Sequence, residues 1–597
     1  MTATLLYLTL VLSYSQRFGK NRPTLREAFP RLFKHEDDRQ THRSNHEVAI
    51  HHDEPALYHD ERALWRTLVL GIPDWNEWEF SYITMAVNIL LMLLSLDLVY
   101  RGPLLHDGKE LAFTRVGYVD DTTARVLIRE PDSSKLPLYV YLKQANHPDW
   151  SMVDMLFHLD EDADFTQPIL FSGLQADTSY LYSLSDDLKG EFKTAPVRGS
   201  QKAKSLTFLT SSCIKANFPY QPFSNSLSIH GLKHLSNVLK AIPTPAAFML
   251  FLGDFIYVDV PLRLASTTEH YRSEYRRVYK SPSWKLPGLQ LPWLHTLDDH
   301  EIANDWAGGN ATEPFPAASD PFLHYHVSVN PPFPPGTSSS PDGNTTYFQF
   351  TQGPASFFML DTRRYRTQPE EFQSSLLGTT KPLYGSSLSQ TQQPHYAPSM
   401  LGPVQFDALI RYLTTAEPSG VYWKFVASSV PFTKNWRVGT SDTWGGFLSE
   451  RSKILEAMHF AENSLGVRVI ILSGDRHEFA AVRFPQKPAA RQTHTQTQED
   501  PSSGPHEFSV GPLSMFYLPF RTFKETDQED RKLAYFPDGN SKVGSIEIYP
   551  NSPANLSYSR STMKYTLWVD GKQTWNYTIE SPPPKGTSRT NLDSWFP

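Results

Sequence analysis

The chain has 597 residues, which at roughly 150 residues per domain predicts two to four domains. With 40% hydrophobic and 20% charged residues, wholesale disorder is excluded, and 47 prolines argue for turns and long loops over a helical bundle. A net charge of −7 excludes a general nucleic-acid binder or scaffold, and a single cysteine, Cys213, excludes an intramolecular disulfide and any zinc ribbon or finger.

Residues 1–79 combine a short apolar stretch with a polar loop. Leu5 to Leu12 (LLYLTLVL) looks like a signal-peptide core, but no basic residue precedes it and no small-x-small cleavage site follows. It is shorter than the ~20 apolar residues of a spanning helix. His35, His42, His46, His51, His52 and His59 follow in a polar segment; their spacings repeat no ligand pattern, so a solvated loop is expected.

Residues 80–100 predict a transmembrane helix. Phe80 to Leu96 carries no charge, Asp97 interrupts, and Leu98, Val99 and Tyr100 extend the run. Trp75, Trp78 and Tyr82 on one side and Tyr100 on the other fit interfacial aromatic belts. A buried core helix is the competing reading. Arg17, Lys20, Arg22 and Arg26 argue for a cytoplasmic 17–79 segment, whereas Arg101, Lys109 and Arg115 pull the other way. The glycosylation sequons at Asn310, Asn344, Asn555 and Asn576 all follow Tyr100 and favour a membrane-anchored body that is lumenal or extracellular.

Residues 111–198 read as a small antiparallel β-sandwich. LAFTRVGYV, TARVLIRE, LYVYLKQ, SYLYSLSD and GEFKTAP are short alternating runs separated by turns, and they contain no catalytic constellation. From Ser205 the pattern changes. SLTFLTSS, AAFMLFLGD, ASFFMLDT, KFVASSV and RVIILSGD are continuous apolar runs, the mark of strands buried on both faces. Helical candidates lie between them at 402–416 and 449–464, so 205–540 is expected to be an α/β layered domain. Residues 331–345 and 485–505 are loop-like insertions. Residues 541–597 form C-terminal strands and a tail.

The chemistry-bearing residues stand at the carboxyl ends of the buried runs, where open α/β sheets bind ligands. TFLTSS ends in Cys213; FMLFLG ends in Asp254, with Tyr257 just beyond; VIILSG ends in Asp475, followed by His477. LDDHEIANDW adds Asp298, Asp299, His300, Glu301, Asn304 and Asp305. Carboxylate, amide and imidazole donors suit divalent metals, and a thiolate or phenolate suits a more Lewis-acidic ion such as ferric iron. A two-metal site about 4 Å across can generate a hydroxide and clamp a phosphoryl group.

GDFIY at 253–257 matches the G-D-x-x-Y motif of purple-acid-phosphatase-like metallophosphoesterases. The full set (SSC at 211–213, GDFIY, DDHE at 298–301, LDTRRYR at 360–366, DTWGGF at 442–447, GDRHE at 474–478) resembles the alkaline phosphatase D (PhoD) family, as a fungal-type, membrane-anchored member. The resemblance implies a metallophosphoesterase layered αββα sandwich, preceded by the small β-sandwich and an N-terminal membrane segment. It implies Fe3+ and Ca2+ as cofactors, with other divalent metals as alternatives. Cys213 would ligate iron, Asp254 would bridge the metals, and Tyr257 would bind as a phenolate. Asp299, Asn304, Asp475 and His477 complete the implied metal set, and His300 is the implied catalytic residue. Asp298 and Glu301 would orient ligands.

The residues themselves leave alternatives. A lone cysteine is often an inert buried group, and Asp254 could cap a helix. Arg363 and Arg366 either bind the substrate phosphate bidentately or pair structurally with Asp361. Asp442, Trp444 and Arg451 are expected in packing or site walls. The expected reaction is phosphoric monoester or diester hydrolysis, with a metal-bound hydroxide attacking in line and His300 protonating the leaving alkoxide. No covalent phosphoryl-enzyme is expected, since Ser211 and Ser212 belong to no legible Ser-His-Asp arrangement. The substrate would be a phosphorylated small molecule, lipid or glycan. Rival readings are a membrane-anchored phosphodiesterase specific for lipid or glycan phosphates, and a non-catalytic membrane protein with a vestigial site.

Overall fold

The computed structural model describes residues 78–185, 188–285, 291–332, 345–369, 398–486, 503–551 and 560–582. The N-terminal apolar stretch, the histidine-bearing segment, most of both insertions, and the sequons at Asn344 and Asn555 lie outside the described residues. The chain divides into two units, Met1–Arg101 and Gly102–Pro597.

Helix α1, Trp78–Leu105, begins two residues before the predicted span and ends five beyond it, with Pro103 in its last turn. Ser81–Leu105 is the one helix among the described residues long and apolar enough to cross a membrane. Only 6% of its apolar window is buried, unlike a core helix. Asp97, the charge that interrupts the run, lies 3.5 Å from Arg101 one turn later.

In the second unit the β-sandwich comprises β1 (Phe113–Val119), β2 (Ala124–Arg129), β3 (Leu138–Gln144), β4 (Ser151–Leu156), β5 (Thr166–Phe171), β6 (Ser179–Leu184) and β7 (Leu188–Lys193). Sheets β1-β2-β5 and β4-β3-β6-β7 are antiparallel throughout. Alternation drives the burial: Leu138, Val140 and Leu142 of β3 point into the core while Tyr139 is exposed.

Two larger sheets follow. Their strands are β8 (Leu206–Ser211), β9 (Met249–Phe251), β10 (Trp293–His295), β11 (Phe348–Gln352), β12 (Ala355–Met359), β13 (Trp423–Ser428), β14 (Arg468–Ser473), β15 (Phe479–Arg483), β16 (His506–Ser509), β17 (Arg531–Phe536), β18 (Lys542–Pro550), β19 (Ser561–Val569) and β20 (Lys572–Glu580). One sheet runs β10-β9-β8-β18-β19-β20, the other β11-β12-β13-β14-β16-β15-β17. Their facing sides share a core in which Phe208 meets Phe357 and Phe425, with ring centroids 5.3 and 5.2 Å away. On the outer face of the six-stranded sheet lie α2 (His230–Ala241), α3 (Thr268–Tyr279) and α4 (Phe315–Tyr325). On the outer face of the other lie α5 (Gly402–Thr414) and α6 (Leu448–Phe460), the two predicted helices. Leu409, Ile410 and Leu413 line one face of α5 and enter that core. The result is the expected αββα sandwich.

The boundary drawn at 540 needs correction. β18 pairs antiparallel with β8, with Ile546 opposite Phe208, and carries β19 and β20 with it. Strands after 541 therefore complete the six-stranded sheet of the layered domain. Strand β8 has two hydrogen-bonding edges; β9 satisfies only one, and the C-terminal segment takes the other.

The sandwich docks on the layered domain through buried arginines. The Arg115 guanidinium donates to the carbonyls of Tyr325 (2.8 Å) and Trp293 (3.1 Å). Arg129 and Arg276 share the Asp164 carboxylate at 2.9 and 2.8 Å.

Candidate active site

β8, β9 and β10 run parallel, as do β12, β13, β14 and β16, so their carboxyl ends deliver side chains to one edge between the sheets. Three of the turns are strained. Cys213, Asp254 and Asp475 have φ of 63°, 56° and 66°, left-handed values that cost a non-glycine residue about 1–3 kcal/mol each. Backbone bonds between the turns hold them: Cys213 N–H donates to the Gly253 carbonyl (3.1 Å) and Ile214 N–H to the Asp254 carbonyl (2.8 Å). The glycines before the two aspartates are required by crowding. A Cβ on Gly253 would lie 2.4 Å from Asp298 Cβ, and one on Gly474 would lie 2.8 Å from Ser212 Cβ.

The side chains then meet in sequence. Asp254 Oδ2 lies 3.4 Å from Cys213 Sγ and accepts the Tyr257 hydroxyl at 2.9 Å. That hydroxyl is 2.9 Å from His477 Nε2. Asp254 Oδ1 accepts the main-chain N–H of His300 at 3.3 Å. Ligand atoms of Asp254, Asp299 and His300 lie within 4.8 Å of one another, and so do those of Asp254, Asp298, Asp299 and Asp475. Glu301, fully buried, accepts the main-chain N–H groups of Asp254 (3.0 Å), Phe255 (2.6 Å) and Asp298 (3.0 Å), locking two of the turns together.

The electrostatics record an excess of negative charge. Burial, assisted by repulsion from Asp299 and Asp475, prevails over the pull of His300 and raises Asp254 to about 7. Burial raises Asp475 to about 6 against the opposing charge of Arg476. Burial and then the Asp254 carboxylate push the Cys213 thiol and the Tyr257 phenol well above their usual ranges. His477 is held down to about 3 by burial and by the charges of His300 and Lys542, so its imidazole is neutral. The buried oxygens Asp298 Oδ2 and Asp299 Oδ1 accept no hydrogen bond, although Arg363 stands 3.5 Å from the latter. Buried oxygens left without a donor, beside thiol, phenol and neutral imidazole, fit cation binding by hard and Lewis-acidic ions.

The structure brings Cys213, Asp254, Tyr257, Asp299, His300, Asp475 and His477 together. The side chain of Asn304 is exposed and makes no hydrogen bond to them; its main-chain N–H donates to Asp259 Oδ2 at 2.7 Å. The expectation that Arg363 and Arg366 clamp phosphate needs correction. Arg363 is fully buried, and its fork is taken up by Asp298 (2.6 Å) and by both oxygens of Asp442 (2.7 and 2.9 Å). Arg366 lies 2.8 Å from the same Asp442 and donates to the carbonyls of Ser441 and Asp442. Asp361 is not their ion partner; it accepts the backbone N–H groups of Arg363 and Arg364 at 2.9 Å.

Asp259 was missed. Its Oδ1 is 2.6 Å from His300 Nδ1, and its only sequence signal is a position two residues after Tyr257. Burial lowers His300, but the charges of Asp299 and Asp254 and the bond to Asp259 outweigh it and raise the imidazole well above its usual range.

Two layered sheets with metal-competent side chains at this edge are the arrangement of the metallophosphatase fold. A solved structure of PhoD, 17% identical, superposes with a TM-score of 0.52 over 79% of this chain and 92% of its own. A purple acid phosphatase isolated from yellow lupin (Lupinus luteus) seeds, 12% identical, gives 0.50 over 78% and 73%. Residues 208–548 match the sequence model of the PhoD-like phosphatases, and the chain belongs to that family. The curated alkaline phosphatase D of Bacillus subtilis (strain 168) is 26% identical over 341 residues, 51% of this chain. The match spans about half of that relative's length, 52%.

Proposed function

We propose that this chain is a metal-dependent phosphoric ester hydrolase acting on phosphorylated small molecules. The observation that carries the reading is the convergence of thiol, phenol, imidazole and undonated carboxylate oxygens on one strained sheet edge of a PhoD-like phosphatase. Cys213, Asp254, Tyr257, Asp299, Asp475 and His477 would hold the metals, Fe3+ and Ca2+, which when bound supply the positive charge that activates water and neutralises phosphoryl oxygens. His300, anchored at Nδ1 by Asp259, keeps its second proton at Nε2 for the leaving oxygen. Ser211 and Ser212 are not free nucleophiles: their hydroxyls donate to the carbonyls of Lys542 (2.7 Å) and Val510 (3.2 Å). This supports direct attack by water.

The apolar helix α1 supports attachment to a membrane. Exposed sequons at Asn310 and Asn576 support a lumenal or extracellular location for the hydrolase body.

The test uses the full chain in detergent. Metal content is measured together with hydrolysis of 4-nitrophenyl phosphate and bis(4-nitrophenyl) phosphate, for the parent and for Cys213→Ala. The parent is expected to hold iron and calcium and to hydrolyse at least one ester. The variant is expected to lose iron and turnover together. A metal-loaded parent that hydrolyses neither ester refutes the reading.

A further inference from the structure

The loops after Cys213 and Tyr257, and the loop after β16, carry apolar side chains that stand beside the candidate ligands. Cys213 and Tyr257 pack with the buried Met515, and Phe218 and Val260, both partly exposed, pack against this cluster. The Phe516 ring lies 5.3 Å from the His477 ring, edge to face, and 5.6 Å from the Phe218 ring. It remains 36% exposed. These three loops continue outward with Phe223 (102% exposed), Leu262 (53%) and Phe520 (53%).

Exposed aromatic and aliphatic groups that adjoin one another mark a surface that something apolar covers. Here the position limits what that is. A ring set edge-on against His477 is within reach of any phosphate ester held at the ligand edge. The group above that ring is therefore the alcohol portion of the ester. The side chains of Phe218, Val260 and Phe516 offer no hydrogen bond to hydroxyls, so a polar alcohol such as a sugar would be desolvated there without compensation. An alkyl or aryl alcohol would instead bury surface.

We propose that Phe218, Val260 and Phe516 form an apolar subsite that receives the alkyl or aryl alcohol portion of a phosphate ester, so that the substrates are phosphate esters of apolar alcohols. This rests on the hydrolase reading given above.

The experiment measures kcat/KM of the full, metal-loaded chain for ethyl, butyl and hexyl phosphate below their micelle concentrations, by phosphate release, with 4-nitrophenyl phosphate alongside. Each added methylene is expected to raise kcat/KM roughly two- to fourfold. In Phe516→Ala the hexyl-to-ethyl ratio is expected to fall at least about fivefold; because it is a ratio, a general loss of metal cancels from it. Val260→Ser serves as the second variant with the same expectation. A flat series in the parent, with 4-nitrophenyl phosphate still hydrolysed, overturns the subsite and leaves the hydrolase reading standing. A rising series that neither variant flattens also overturns the subsite. Release of phosphate from none of the four monoesters overturns the subsite, and failure on bis(4-nitrophenyl) phosphate as well overturns the hydrolase reading with it.

Discussion

Asp259→Asn isolates what the carboxylate behind His300 contributes. Asp259 spans two contacts, Oδ1 to His300 Nδ1 at 2.6 Å and Oδ2 to the Asn304 main-chain N–H at 2.7 Å. Asparagine has nearly the same shape and can keep the second contact through its carbonyl oxygen, so the turn stays in place. What it removes is the negative charge beside the imidazole. A hydrogen bond to a charged group contributes about 1.5–3 kcal/mol, which is roughly 10- to 150-fold in rate if it is expressed at the step that uses the imidazole proton. That range lies at or below the 10²- to 10⁴-fold typical of losing a general acid outright, as it should when the acid is only weakened. The assay compares kcat/KM for butyl phosphate and 4-nitrophenyl phosphate. Butoxide needs a proton to leave, whereas 4-nitrophenolate departs as the anion. Butyl phosphate hydrolysis is expected to drop roughly 10- to 150-fold, and 4-nitrophenyl phosphate hydrolysis several-fold less. Equal losses on both esters would refute the reasoning, because they would mean that Asp259 only supports the loop.

Two further outcomes concern buried charge. Asp442→Asn leaves the guanidinium groups of Arg363 and Arg366 without their shared carboxylate, and breaking a buried pair from one side costs about 3–5 kcal/mol. Urea unfolding should show this, and a loss under about 1 kcal/mol would contradict the saturated fork described for Arg363. His506 in β16 is fully buried, and burial followed by the charge of Arg468 lowers its pKa to about 3. The unfolded chain takes up a proton below about 6.5 that the folded chain refuses until about 3, so stability falls as pH drops through that window. His506→Phe should remove up to about 1.4 kcal/mol of stability loss per pH unit between pH 6 and 4. Identical pH slopes in parent and variant would sink it.

The parts of the fold that were legible are those with a local cause. β8, β9, β13 and β14 are buried on both faces, so their apolar runs are continuous, and the polar residues at their ends stand out by contrast. β4 and β5 escaped notice for equally local reasons. β4 exposes Ser151 to Asp154 in succession, and β5 contains Pro168. Nothing nearby could reveal that β18 pairs with β8, because the partners are separated by most of the layered domain and pairing leaves no mark in either strand. The same holds for Arg363 and Asp442, which lie 79 residues apart. Two nearby arginines read equally well as a phosphate clamp until their partners are known.

The distribution of those partners also indicates where cations belong. Arg363 and Arg366 place their charge on Asp298 and Asp442, on one side of the carboxylate cluster. On the other side, Asp254, Asp299 and Asp475 face Cys213, Tyr257 and His477. The cationic side chains that reach them are Arg476, 3.0 Å from Asp475, His300, whose ring lies within 4.8 Å of Asp254 and Asp299, and Arg363 at 3.5 Å from Asp299. A carboxylate cluster that is only partly neutralised does not form three left-handed turns by itself, since repulsion and strain both act against it. The fold imposes the turns through Glu301 and the close-packed Gly253 and Gly474, and it sets the Asp254 carboxylate against Cys213 Sγ, the Tyr257 hydroxyl and the His300 main-chain N–H. A cation bound there would relieve the repulsion that Asp299 and Asp475 add to the burial of Asp254, which is the physical reason to expect one against that carboxylate.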